Sequence, residues 1–130
     1  MASIEIEEKL KWYVGILKRK YKKNNLPATA IGAEYLKGER NKKTDRSGPP
    51  PDINSFAPLL KIKLDNLGGV GTKLNNNTLG CCCEVRAANK ILGKFQKIPP
   101  ELLVFTPAVR PRTGQVIKRC PNCIEVFGNE

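Results

Sequence analysis

The five cysteines constrain the fold of this chain more than any other feature. They form two tight groups, the consecutive Cys81-Cys82-Cys83 and the pair Cys120-Pro121-Asn122-Cys123. An odd number of cysteines clustered in this way is not the evenly spaced framework of a disulfide-stapled secreted domain. It points to metal or redox chemistry in a reducing compartment. If the two groups share one centre, the helix, strand and loop between them must fold back so that two helix starts meet. At 130 residues the chain fits a single domain with one core.

Hydrophobic periodicity supplies the elements. Ile6, Leu10, Tyr13, Val14, Leu17 and Tyr21 recur at helical spacing, predicting a helix over Ser3 to Lys23. Glutamates in its first turns and lysines in its last suit the helix dipole. Trp12, beside the stripe, is expected in the core. Thr29 to Leu36 alternates as a strand, and Gly38 to Asp45 reads as an exposed turn, the tip of a hairpin with a short second arm. Ser47 to Asp52, with Pro49, Pro50 and Pro51, must be a loop. A helix entered near Pro58 runs to Leu67 and is ended by Gly68, Gly69 and Gly71. That glycine stretch follows a helix and lacks the spacing of a phosphate loop. Thr78 is a candidate cap for the next helix, Cys82 to Leu92, which Gly93 stops. Glu101 to Val109, centred on Leu102-Leu103-Val104-Phe105, suits a buried strand. Arg110 to Arg119 reads as a basic loop, and Pro121 opens a last helix. The domain division is a basic amphipathic helix over 1–24 and a second unit over 25–130.

The cysteines can be read as chemistry. Two thiolates three residues apart at a helix start converge on one metal, and the helix N-terminus favours their anionic form. Cys82 from a neighbouring helix start adds a third to Cys120 and Cys123. Zinc in a three-ligand shell keeps a position for water and lowers the water pKa towards neutrality. Glu84, two residues beyond Cys82, would face the same space without ligating and carry the proton to a leaving amine. Two alternatives stay open. The C-x-x-C pair is also a redox motif, although that leaves the triple cysteine unexplained. A closed structural site with Cys81 or Cys83 as fourth ligand would leave Glu84 without a role.

The segments Gly80-Cys-Cys-Cys-Glu-Val-Arg-Ala-Ala-Asn89 and Arg119-Cys-Pro-Asn-Cys123 resemble the two motifs of the cytidine deaminase-like superfamily. Within it they are similar to the YwqJ-like deaminase domains of bacterial polymorphic toxins, where cysteine replaces the first histidine ligand. The resemblance runs from about Ile53 to Phe127 and is strongest at the two motifs and around Ala108 to Gly114. It implies an α/β deaminase fold, a mixed sheet with helices on both faces, here preceded by the basic helix. It also implies zinc on Cys82, Cys120 and Cys123, with Glu84 as proton shuttle. The implied activity is hydrolytic deamination of a nucleic-acid base, cytosine before adenine. The implied setting is a toxin exported within a larger protein, acting in the target-cell cytoplasm and neutralised by a cognate immunity protein. Arg119 stands where the superfamily usually has proline.

Charge fits that implication. Twenty-three Lys and Arg against twelve Asp and Glu give +11, a field that draws polyanions, nucleic acid first among them. A solvated basic surface or an anionic membrane are the alternatives. No run approaches a membrane span, so no membrane insertion is expected. The candidate substrate contacts lie in two loops: Ser47 and Gly48 in the first, Ala108, Arg110 and Arg112 in the second. Lys118 and Arg119 extend the basic string towards the metal. Two other functions remain possible, deamination of free nucleotides or nucleosides and a non-catalytic zinc domain that binds nucleic acid. The broad positive field disfavours the first of these.

Overall fold

The computed structural model describes residues 2–35, 42–93 and 98–129. Helix α1 spans Ile4–Lys20, with the Ser3 hydroxyl accepting from the Ile6 N–H at its start. Ile6, Leu10 and Leu17 are buried, as the stripe predicts, while Tyr13 and Val14 are half-buried. Trp12 is not in the core: it is 69% exposed. At 100° per residue it projects about 140° from the centre of the stripe, so its size cannot bring it inside.

Strand β1, Ala30–Glu34, is the centre of the sheet, and all five of its residues are buried. Its neighbour β2, Lys42–Arg46, pairs with it antiparallel along its whole length, from Ala30 opposite Arg46 to Glu34 opposite Lys42. The expected short arm is therefore a full strand that begins inside the predicted turn, whose first residues lie outside the described ones. The sequence hid it because Asp45 points inward. It sits opposite Ile31, and Arg86 and Lys90 reach its carboxylate at 3.5 and 3.3 Å.

A mostly exposed loop, anchored by buried Phe56 and Ala57, leads to α2, Pro58–Asn66, which ends at glycines with positive φ. Strands β3, Lys73–Leu74, and β4, Asn77–Thr78, form a small separate hairpin. Asn75 and Asn76 turn it, both at positive φ, as a two-residue turn of this hand requires. Thr78 thus belongs to β4 and caps no helix. Helix α3 spans Cys83–Leu92 with Cys82 as its cap, and Gly93, at φ 64°, stops it.

The strand expected over Glu101 to Val109 is divided. A 3-10 turn over Pro100–Leu102 leaves Leu102 47% exposed, and β5, Val104–Phe105, and β6, Ala108–Val109, each pair with β1. Phe105 lies opposite Ala33 and Val109 opposite Ala30, so one extra residue is accommodated at Thr106-Pro107, a β-bulge. Thr106 repairs the ladder there: its N–H donates to the Gly32 carbonyl at 2.8 Å, and its hydroxyl accepts from the Gly32 N–H at 2.9 Å. The predicted basic loop is in part the second arm of a hairpin, since β7, Val116–Ile117, pairs with β6. Helix α4, Pro121–Phe127, follows with proline in its first turn.

The result is an α/β arrangement of four helices with a five-stranded sheet in which β2, β1, β6 and β7 lie side by side and β5 extends the β6 side of β1. Among the described residues every pairing is antiparallel, where a mixed sheet was expected. Helices do cover both faces. Ala30 packs on Leu10 and Leu17 of α1, and a Cβ on Gly32 would meet Ile6, so these alternate residues face α1. Ile31 and Ala33 join the main core with Leu60, Val85, Leu92 and Phe127 from α2, α3 and α4. No described helix is long and apolar enough to cross a membrane.

Candidate metal centre and cavity

Helices α3 and α4 begin alike. Cys82 and Cys120 occupy their N-cap positions with extended backbones (ψ 147° and 159°), and neither side chain caps its own helix. Both sulfurs are thus free to turn towards each other. Cys123, in the first turn of α4, is buried. The Sγ atoms of Cys82, Cys120 and Cys123 all lie within 4.8 Å of one another, with Cys82 and Cys120 at 3.8 Å. Zinc–thiolate bonds of about 2.3 Å in a tetrahedron place sulfurs about 3.8 Å apart, so the donor set and its spacing fit zinc. Cys83 is not part of this cluster. Its thiol is buried and donates to Glu84 Oε1 at 3.0 Å. Cys81 also lies outside it. Among the described residues the centre therefore has three sulfur donors, not the four of a closed site.

The three thiols perturb one another strongly. The close Cys123 and Cys82 sulfurs favour a thiolate at Cys120 and hold its pKa well below the usual thiol range, with further support from the backbone N–H groups of Cys123 and Asn122. Cys82, beside that thiolate, is pushed up to about 12. Cys123 is raised for the same reason. A metal ion stabilises all three as thiolates. Burial pushes the Glu84 carboxyl above its usual range, opposed by the Cys83 thiol donating to it.

These groups open onto a cavity of about 360 Å³ that Cys82, Cys120 and Glu84 line. The volume lies in the range of small-molecule sites. Of the candidate substrate contacts, Ser47, Gly48, Ala108 and Lys118 line it too. Arg110 and Arg112 do not; they stand in and beside the exposed turn between β6 and β7. Arg119 lies elsewhere as well, donating to the Gly128 carbonyl at 2.6 Å and stacking over the Phe105 ring.

The sequence reading missed Thr29, which enters the wall from the start of β1, and Asn77 and Thr78 from the β3–β4 hairpin. The hairpin is fastened to α4: the Asn122 side chain donates to the Leu74 carbonyl at 2.7 Å and accepts from Asn75 Nδ2 at 2.9 Å. The one available signal was Asn122 itself, a polar residue inside the C-x-x-C pair that is 3% exposed. Comparison with family models, curated proteins and solved structures gives no match.

Proposed function

We propose that the chain is a zinc-dependent deaminase of nucleic-acid bases, with Cys82, Cys120 and Cys123 holding the metal and Glu84 moving the proton. The observation that carries this reading is a cluster of three sulfurs at the edge of a cavity that two of them, Cys82 and Cys120, line together with the buried Glu84. Zinc bound there would supply a water of lowered pKa. Glu84, buried and with its pKa raised, sits nearer to neutrality than an ordinary carboxylate, so it can both accept a proton from water and return it to a leaving amine. The Cys83 thiol on Oε1 fixes the orientation of the carboxyl. A cavity of this size admits one base, which must reach it single-stranded or flipped from a duplex.

The +11 charge supports a polymeric substrate over a free nucleotide. On the resemblance to YwqJ-like domains, cytosine is the base, and the chain is the toxin portion of a larger exported protein. It would act in the target-cell cytoplasm and be checked by an immunity protein. A direct test is ammonia release from polynucleotide by zinc-loaded protein, with Glu84→Gln beside it. The variant should lose turnover by about 100-fold or more while retaining its zinc. Equal turnover in the two proteins would refute the assigned role.

A further inference from the structure

The loop that carries Gly48 passes between two guanidinium groups at the rim of the cavity. A Cβ placed on Gly48 would lie 2.8 Å from Arg46 Nη1 and 3.5 Å from Arg86 Nη1, so both side chains approach Gly48, which lines the cavity, from outside the lining itself. Each arginine is held in place by the protein. Arg46 Nη1 donates to the Ser47 carbonyl at 3.1 Å, and its guanidinium lies 5.6 Å over the Tyr21 ring. Arg86 Nη1 donates to the Pro49 carbonyl, and Nη2 is 3.5 Å from Asp45.

The charge here is not balanced. Asp45 is shared by Arg86 and Lys90, and Arg46 has no acidic partner among the described residues. Arg86 Nε is buried without a partner among them. The Gly48 N–H donates to the Cys81 carbonyl at 3.1 Å, which ties this pair of cations in register with Cys82 and Glu84. Two preorganised guanidinium groups converging on a glycine, with excess positive charge, match a phosphate group.

We propose that Arg46 and Arg86 seat a backbone phosphate of a single-stranded polynucleotide over Gly48, beside the nucleotide whose base enters the cavity. This rests on the nucleic-acid reading above. It moves the backbone contact from Arg110 and Arg112 to residues on β2 and α3. Glycine is required at 48 because a side chain there would occupy the space between the two guanidinium groups.

The test is the binding of a short labelled single-stranded oligonucleotide to zinc-loaded protein across a salt series, with thermal unfolding of each variant as a control for folding. Arg46→Gln should weaken binding about five- to tenfold at low salt and make the log–log salt slope shallower by about 0.7, one phosphate contact on a single strand. Gly48→Ala should weaken binding similarly without lowering the unfolding midpoint, since Gly48 is not at positive φ and the added methyl meets only guanidinium ends. Arg112→Gln should stay within about twofold of the parent. Parent-like binding by both folded Arg46→Gln and Gly48→Ala would overturn the proposal, as would a nucleoside monophosphate that binds as tightly as the oligonucleotide. Binding that depends on Arg46 in a protein that deaminates nothing would uphold the phosphate seat and refute the deaminase. Deamination with binding indifferent to both variants would do the reverse.

Discussion

Cys83 separates the two chemistries that a triple cysteine allows. Its thiol is a donor to Glu84 Oε1 and not a member of the sulfur cluster. That bond favours the ionised carboxylate and so holds the Glu84 pKa below where burial alone would put it. On the proposed mechanism, activity would need the carboxylate as base and would fall as pH drops through its pKa. Cys83→Ala removes the donor, raises that pKa, and should move the acidic limb of the kcat profile to higher pH with zinc content unchanged. Cys83→Ser restores a donor and should restore the limb. Loss of zinc in Cys83→Ala would instead make Cys83 a ligand. The three clustered cysteines and Glu84 were legible in the sequence because their spacing from helix starts is local. Arg46, Arg86 and Thr29 were not, since their approach to the cavity depends on how β1, β2 and α3 pack.

At the scale of elements, the helices were easier to read than the strands. A helix shows its buried face through its own periodicity, as Ile6, Leu10 and Leu17 do. Strand β2 carries almost no such signal, because its inward residue, Asp45, is an acid neutralised by a helix distant in sequence. The break between β5 and β6 was hidden for a related reason. Thr106 turns a ladder defect into a satisfied one by hydrogen bonds with Gly32. Thr106→Val keeps the shape, loses the acceptor and leaves the buried Gly32 N–H unpaired, a cost of about 1–3 kcal/mol. Urea denaturation should show that loss, with Thr106→Ser much closer to the parent. An unchanged midpoint in Thr106→Val would mean that the hydroxyl does not support the bulge.

For the whole molecule, the proposed metal would add a link between α3 and α4, which already share the main core. Helices α3 and α4 meet at their N-caps through sulfur atoms, and the β3–β4 hairpin is fastened to α4 by Asn122. Zinc that binds only the folded chain stabilises it by about 2.7 kcal/mol at a hundredfold excess over its dissociation constant. Chelation should therefore lower the thermal midpoint of the parent, and Cys120→Ser should start low and no longer respond to chelator. A parent that ignores the chelator would show that the three sulfurs hold no structural metal. The broad α/β class was legible from alternating elements, whereas the antiparallel order of the sheet was not. Strand direction is set by long-range pairing, and two-residue strands such as β5, β6 and β7 leave no pattern of their own.

The proposed reaction is the removal, in this cavity, of an amino group from a base within a polynucleotide. Sequencing of single-stranded DNA, double-stranded DNA and RNA after incubation with zinc-loaded protein tests it most directly, with Glu84→Ala as the control. C-to-U changes in at least one polymer that disappear in the variant are expected, with neighbouring bases at edited sites reporting what the cavity rim prefers. Polymers left unedited by a protein that carries zinc on Cys82, Cys120 and Cys123 would contradict it.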